Sequence, residues 1–247
     1  MKRGLKRFLI FILVGFGVLY LSKSNISFVK GLIYNENKID LNKSDLNKSD
    51  ELANGNNINI NNDGDLNDYL LLVNKEHELS KNYKPKNLII PDIPFTDLVN
   101  NEEKYVAGVI AKPLENLINE AKYEGIILIG NSGYRSYKSQ KNIFNDRVKS
   151  QGIENAEAYV AKPGFSEHQT GLCIDITNEE NFLIQGTREG DWLAENSYRF
   201  GFIIRYPLGK EDITGIEYEP WHIRYVGEEA AKYIYENGIT LEEYLGR

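Results

Sequence analysis

The sequence predicts one α+β domain behind a long N-terminal extension. Helical patterns come early in the domain, at residues 112–125 and 136–150, whereas short apolar, alternating segments cluster later, around two of the three histidines. Helices and strands that are segregated in this way favour α+β over alternating βαβ units. A chain of 247 residues, 41% of them hydrophobic, can build one core of ordinary size.

Charge and cysteine content exclude some classes of protein. The net charge is -7, whereas binding to nucleic acid requires a basic patch, so we expect no nucleic-acid partner. A single cysteine rules out an internal disulfide framework. No feature of the sequence indicates an obligate protein partner.

Residues 1–25 have the pattern of an export signal. Four basic residues among the first seven precede fourteen residues without charge, 8–21. As a helix this run spans only ~21 Å, but flanking Lys and Arg side chains can snorkel. Because no A-x-A-like cleavage site follows, we expect a single-pass signal-anchor in the cell membrane, with the rest of the chain extracytoplasmic. A cleaved signal, which would give a secreted protein, and a buried core helix are the alternatives.

Residues 26–68 are predicted to be a flexible linker. Asn, Asp, Lys and Ser dominate this segment, and LNKSD occurs twice in tandem. Such a composition cannot bury enough apolar surface to offset the entropy of ordering. The folded domain is therefore expected to cover residues 69–247.

The first half of the domain contains one strong helical pattern. A strand is predicted at 70–75, and an extended path at 83–94, which holds three prolines. Apolar residues at i, i+3, i+4 and i+7 predict a helix over 112–125 that ends at Gly125. A short apolar strand at 126–129 leads into the sequence NSGYRS.

The second half mixes short strands with helices. Helices are predicted at 136–150 and 191–199, and strands at 202–206 and 222–226. A helix over 228–237 and a short one after Thr240, a good N-cap residue, close the chain.

The stretch SEHQTGLCID carries the first candidate metal-binding pair. If GLCIDI is a strand, Asp175 and Cys173 point away from an apolar face, and His168 lies in the lead-in loop. A His and an Asp at this spacing are weak evidence alone, because a lone His is more often structural.

The stretch EPWHIRY carries the second candidate pair. His222 alternates with its neighbours on a predicted strand, and Glu219 precedes it by three residues, next to Pro220. Two His and one Asp form the open three-ligand arrangement of catalytic zinc. A nearby carboxylate that is not a ligand can then move a proton, although Glu219 alone could be a solvated surface group. His77 lies in a charged run and is expected to be exposed without a role.

Three motifs in order resemble a known family. SGYRS, the pattern S-x-H-x-x-G-x-x-x-D at 166–175, and EPWHIRYVG are similar to the zinc D-alanyl-D-alanine carboxypeptidases of the VanY type and to related peptidoglycan L,D-carboxypeptidases. The resemblance implies a Hedgehog/D-Ala-D-Ala-peptidase-like fold, in which helices flank a central antiparallel sheet. It implies one zinc ion bound by His168, Asp175 and His222, with Glu219 as the catalytic base.

The resemblance also implies roles around the metal. Arg135 of SGYRS would stabilise the oxyanion, as a fixed cation can; the alternative is that it only braces the turn at Ser132. Gln140 and Ser166 match positions that line the substrate site. Tyr134 and Trp221 are expected either to form walls of the substrate pocket or to belong to the core.

Cys173 departs from the family, which commonly has Ala two residues before the metal-binding Asp. A thiolate would be a soft zinc ligand, but Asp175 fills the ligand position. We expect Cys173 to be a small, buried, neutral side chain.

The function expected from this reasoning is removal of the C-terminal D-alanine from peptidoglycan stem peptides. An L,D-carboxypeptidase that acts on tetrapeptide stems, a cell-wall endopeptidase and a non-catalytic wall-binding module are the alternatives. Both Glu219 and Arg135 are present, which disfavours the last of these.

Overall fold

The structure, a computed structural model, describes residues 68–183 and 185–247. The predicted signal-anchor, and the predicted linker up to residue 67, lie outside this part of the chain. Among the described residues, no helix has the length and apolar character needed to cross a membrane.

A four-stranded antiparallel sheet in the order β3-β4-β6-β5 forms the centre of the domain, and β1 and β2 pair separately. The strands are β1 (Leu88–Ile89), β2 (Val106–Ala107), β3 (Ile129–Ser132), β4 (Cys173–Thr177), β5 (Phe202–Ile204) and β6 (His222–Tyr225). The helices are α1 (Gly108–Tyr123), α2 (Tyr137–Gln151), α3 (Ile153–Tyr159), α4 (Arg188–Asn196), α5 (Glu211–Thr214), α6 (Glu228–Asn237) and α7 (Leu241–Tyr244). Short 3-10 helices lie at Asp68–Leu70, Glu102–Lys104, Glu167–Thr170 and Ser197–Phe200. The predicted α+β class is confirmed.

The main core lies between α1 and one face of the large sheet. Alternation along β4 sends Ile174 and Ile176 to this face, and Ile223 of β6 joins them. The buried stripe of α1, which includes Leu114 and Leu117, belongs to the same cluster. The other face of the sheet is therefore left for the polar residues of β4 and β6.

Several predicted helices match the structure closely. The predicted helix 136–150 is α2, whose N-cap residue Ser136 accepts a hydrogen bond from the Ser139 N–H. The helix predicted over 228–237 is α6, and Thr240 begins α7 with a capping box that also uses Glu243. The helix predicted at 112–125 begins earlier, at Gly108.

The strand predicted at 70–75 was wrong. After the 3-10 helix at Asp68–Leu70 this segment forms no strand. The carbonyl oxygens of Tyr69 and Leu71 instead accept hydrogen bonds from the buried guanidinium of Arg224, at 2.9 and 2.7 Å. These carbonyl oxygens therefore accept from the side chain of Arg224 and not from the backbone of a neighbouring strand.

The strand predicted at 126–129 lies three residues later, at Ile129–Ser132. Ile126 and Leu128 fill the core before the chain reaches the sheet, so their apolar run does not mark the strand itself. The pairing places Ser132 opposite Asp175. The shift therefore brings the SGYRS motif to the edge of the candidate site.

Candidate metal centre and active site

Strand pairing brings two of the predicted metal ligands together. Asp175 of β4 lies directly opposite His222 of β6, and Cys173 lies opposite Arg224. Residues that are directly opposed in an antiparallel pair project from the same face. The register therefore puts Asp175 and His222 side by side on the face away from the main core.

His168 reaches the same place from the 3-10 helix Glu167–Thr170. This helix ends at Gly171, which has a left-handed conformation with φ of 66°. A Cβ at this position would lie 2.9 Å from the backbone nitrogen of Ala107, so both the conformation and the close packing require glycine. The sharp turn lets His168 precede β4 and still face Asp175.

The three predicted ligands converge through specific atoms. Nε2 of His168 lies 3.5 Å from Oδ2 of Asp175, and Nδ1 of His222 lies 2.9 Å from Oδ1 of the same carboxylate. The two imidazole rings meet edge to face, with centroids 5.1 Å apart. Two imidazole nitrogens and a carboxylate are a donor set that suits zinc, so these residues fit one ion.

In each imidazole ring, the nitrogen that does not face Asp175 contacts a hydrogen-bond acceptor. Nδ1 of His168 lies 2.8 Å from the carbonyl oxygen of Gly133, and Nε2 of His222 lies 3.4 Å from Oε2 of Glu167. Such outer contacts fix the tautomer and orientation of metal-binding histidines. Each ring is thus oriented with its other nitrogen towards Asp175.

Cys173 is a member of this cluster. As expected from the sequence, it is fully buried. Its sulfur, one ring nitrogen of His168 and one ring nitrogen of His222 all lie within 4.8 Å of one another. Burial raises the pKa of the thiol, but the two facing histidines outweigh burial and lower the pKa to about 7. The two histidines therefore favour the thiolate form of Cys173, whereas the sequence predicts a neutral side chain.

Glu219 is held beside His222 by a tight turn. The His222 N–H donates to the Glu219 carbonyl oxygen across Pro220, a favoured residue at the second position of a turn. Oε2 of Glu219 lies 3.9 Å from Nδ1 of His222. Burial raises the pKa of Glu219 against the opposing charge of His222, and the nearby Asp175 adds to this rise. A carboxyl with a raised pKa is suited to both accepting and returning a proton.

Arg135 is fixed by three neighbours. Its Nε donates to Glu103 at 2.6 Å, and its two terminal nitrogens donate to Gln140 at 3.0 Å and Ser132 at 2.8 Å. Gln140 also donates to the Ala161 carbonyl oxygen, so both ends of its amide bind protein atoms. Gln140, predicted to contact substrate, therefore braces Arg135.

A cavity of about 310 Å³ contains eight of the nine predicted site residues. They are Arg135, Gln140, Ser166, His168, Asp175, Glu219, Trp221 and His222. The ninth, Tyr134, is only 5% exposed and is not among the described residues that line this cavity. The structure therefore places Tyr134 with the buried residues, and its backbone N–H donates to the Tyr105 carbonyl oxygen at 2.7 Å.

Sequence reasoning assigned no role to three residues of this site. Glu167 contacts His222, Glu103 binds Arg135, and the ring of Tyr206 lies 5.1 Å from that of His222. Burial, helped by the negative charge of Glu167, raises the pKa of Tyr206, so its hydroxyl stays protonated. The one available signal was that Glu167 directly precedes His168.

Comparison with known proteins identifies relatives. The VanY family of D-alanyl-D-alanine carboxypeptidases matches residues 103–228, just over half of the chain. The putative carboxypeptidase YodJ of Bacillus subtilis is 48% identical over 180 residues, which cover 71% of this chain. The same alignment covers 66% of YodJ, slightly less than two thirds of its length.

Two solved structures share the fold. The LD-carboxypeptidase LdcB is 48% identical, with a TM-score of 0.67 over 71% of this chain and 84% of its own. A mutant of the vancomycin-resistance D,D-pentapeptidase VanY, in complex with Zn(II), is 38% identical, with a TM-score of 0.61 over 72% of this chain and 99% of its own. The motifs, the antiparallel fold and these matches agree: this chain belongs to the VanY family of D-alanyl-D-alanine carboxypeptidases.

Proposed function

We propose that the chain is a zinc-dependent carboxypeptidase that removes the C-terminal D-alanine from peptidoglycan stem peptides. The observation that carries this proposal is the convergence of His168, Asp175 and His222 in one cavity with Glu219 and Arg135. The similarity to a VanY enzyme in complex with Zn(II) supports the identity of the metal.

Three residues would hold the ion. Nε2 of His168, a carboxylate oxygen of Asp175 and Nδ1 of His222 are the atoms that face one another. When bound, zinc would act as a Lewis acid on the scissile carbonyl and lower the pKa of an attacking water. Three protein ligands leave a coordination position open for this chemistry.

Glu219 would move the proton. As the water oxygen attacks the carbonyl carbon, a carboxylate oxygen of Glu219 takes a proton from the water. When the C–N bond breaks, the same carboxyl gives that proton to the departing amine, which leaves as D-alanine. Burial raises the pKa of Glu219, so its carboxylate is a stronger base than that of an exposed glutamate and holds the proton until the amine departs.

Arg135 would stabilise the charge that develops on the carbonyl oxygen. Its guanidinium lines the cavity and is fixed by Glu103, Gln140 and Ser132 before substrate arrives. Donors that are already in place need no reorganisation during the reaction. Ser166 and Trp221 also line the cavity and are available to contact the peptide.

Hydrolysis of tetrapeptide stems is a second candidate, favoured by the 48% identity to LdcB. The two activities are separated by offering pentapeptide and tetrapeptide stems to the zinc-loaded full chain and measuring product masses. We expect the pentapeptide to lose one D-alanine, and a chelator to abolish the reaction. Shortening of the tetrapeptide alone would favour the second candidate, and zinc binding without cleavage of either stem would contradict both.

We further propose that residues 1–25 anchor the protein in the cell membrane with the catalytic domain outside. The support is the basic start followed by fourteen uncharged residues, 8–21. Fractionation of cells and the mass of the recovered protein test this directly. Recovery of the full-length chain in the membrane fraction is expected, whereas a shortened, released chain would indicate a cleaved signal.

A further inference from the structure

A fully buried ion cluster lies beneath the candidate metal centre. The guanidinium of Arg205 donates to Glu167 at 2.7 Å and to both oxygens of Glu242, at 2.9 and 2.5 Å. Arg224 donates to the same oxygen of Glu167, Oε1, at 2.5 Å. The side chains of Glu167, Arg205 and Arg224 have no exposed area, and that of Glu242 is 4% exposed.

Stability alone does not explain such a cluster. Two carboxylates and two guanidiniums balance in charge, but their desolvation often costs as much as their attraction returns. Apolar residues of similar size frequently replace buried ion pairs without loss of stability. A cluster in this place therefore suggests a second role, and its contacts indicate which one.

The side chain of Glu167 joins the cluster to the metal centre. Both guanidiniums bind Oε1 of Glu167, and the other oxygen, Oε2, lies 3.4 Å from Nε2 of His222. A carboxylate that binds two guanidiniums can only accept hydrogen bonds. When Nδ1 of His222 binds the ion, Nε2 must carry the ring proton, and Oε2 of Glu167 is the acceptor that faces it.

The same argument applies to His168, in which the two ring nitrogens have the opposite roles from those in His222. Its Nδ1 faces a carbonyl oxygen, that of Gly133, which also can only accept, so its Nε2 is the free nitrogen. Both free nitrogens point at the carboxylate of Asp175. The two histidines therefore depend on different acceptors, one from the backbone and one from a buried charged side chain.

We propose that Glu167 is a positioning residue, which fixes the tautomer and ring orientation of His222 so that Nδ1 is available to zinc. Arg205 and Arg224 hold Glu167 in place, and Glu242 anchors Arg205 from the side away from the metal centre. This inference rests on the proposed zinc site. It gives Glu167, which precedes His168 in the sequence SEH, a role in the binding of zinc.

The matched pair Glu167→Gln and Glu242→Gln tests the proposal. Each change removes one carboxylate from the same cluster, but only Glu167 contacts His222. Zinc affinity is measured on the full chain by competition with a chromophoric chelator, and stability of the metal-free chain by urea unfolding. We expect both variants to lose stability, and Glu167→Gln to lose about 10–100-fold in zinc affinity. Glu242→Gln should stay within about threefold of wild type, because Glu167 keeps its contact with His222 and still accepts from Arg224.

A measurement on wild type keeps the proposal testable if Glu167→Gln does not fold. In the nitrogen-15 spectrum of histidine-labelled, zinc-loaded chain, His222 should carry its proton on Nε2 and His168 on Nδ1. A proton on Nδ1 of His222 would overturn the proposal. So would equal zinc affinities for the two variants, because the cluster would then act only through stability. A wild-type chain that binds no zinc would instead overturn the proposed function, and this inference with it.

Discussion

The surroundings of Glu219 distinguish it from the other carboxylates of the site. Asp175 lies between two imidazoles, and Glu167 is held by two guanidiniums and His222, which outweigh burial and keep its pKa well below the usual range. Among the described residues, no cationic side chain is in hydrogen-bond contact with Glu219, and burial raises the pKa of Glu219. Of these three, Glu219 is therefore the one suited to exchange protons during the reaction.

Glu219→Gln should reduce kcat by about 10²- to 10⁴-fold, the usual contribution of a general acid–base. Zinc content, measured by atomic emission, should stay near about one ion per chain, because the proposed ligands are unchanged. Glu195→Gln, at an exposed residue of α4, is the control and should retain wild-type kcat. Undiminished activity in Glu219→Gln would contradict the proton-transfer role.

Arg135→Lys should lower kcat by about 10²-fold, because an ammonium keeps the charge but cannot reproduce the fixed fork of a guanidinium. The exposed Arg188 supplies the control, Arg188→Lys, which should behave like wild type. Steady-state kinetics and urea unfolding are measured on both variants. If Arg135→Lys loses stability but keeps kcat, the residue only braces the turn at Ser132.

At the level of elements, the turn between His168 and β4 controls the geometry of the site. Gly171 combines a positive φ with backbone contact from β2, where a Cβ would meet the Ala107 nitrogen at 2.9 Å. The turn therefore ties the short sheet of β1 and β2 to the position of His168. Loss of the glycine should affect both folding and metal binding.

Gly171→Ala should destabilise the domain more than Gly238→Ala. Both glycines have a positive φ, which costs an L-residue about 1–2 kcal/mol, but a Cβ at Gly238 meets nothing within 4 Å. The clash at Gly171 should add about 1–3 kcal/mol, and it should weaken zinc binding by displacing His168. Urea unfolding and chelator competition provide the two measurements. Equal free energies of unfolding in the two variants would show that the backbone at Ala107 can move away from the added Cβ without loss of stability.

Element boundaries were predictable where local chemistry sets them. The capping box of Thr240 and the N-cap Ser136 lie beside the helices that they begin, and the periodicity within those helices is local as well. The segment 70–75 has an apolar pattern typical of a strand, yet the carbonyl groups of Leu71 and of the preceding Tyr69 bind Arg224. That contact joins residues more than 150 positions apart, which no local pattern contains.

Across the domain, the buried ion cluster connects both ends of the described chain to the sheet. Arg224 of β6 binds the carbonyl oxygens of Tyr69 and Leu71, and Glu242 of α7 binds Arg205 and Asn74. Burial raises the pKa of Glu242, but its hydrogen bonds with Arg205 outweigh burial and lower it. The closing helix is thus attached by a carboxylate that must be ionised.

The stability lost in Glu242→Gln should depend on pH. A carboxyl whose pKa is lower in the folded state adds stability above its unfolded value, near 4.5, and loses it as pH falls through the folded pKa. At pH 7 we expect a loss of about 3–5 kcal/mol, because Arg205 keeps only one of its two carboxylates. The difference in free energy of unfolding between this variant and wild type should narrow below about pH 4. Urea unfolding at several pH values measures it, with Glu236→Gln, part of an exposed pair on α6, as the control. A difference that does not change with pH would contradict this attachment.

The sequence by itself determined the α+β class, most helices, and eight of the residues that share one cavity. Those features depend on local periodicity, on capping residues and on three short motifs, all of which can be read along the chain. The tertiary structure alone decided which nitrogen of each histidine faces Asp175, that Cys173 lies between the histidines, and that Tyr134 lies among the buried residues. It also decided that Glu167 holds His222, because its partners Arg205 and Arg224 are 38 and 57 residues away. Contacts of this kind form only when separate strands are brought into register.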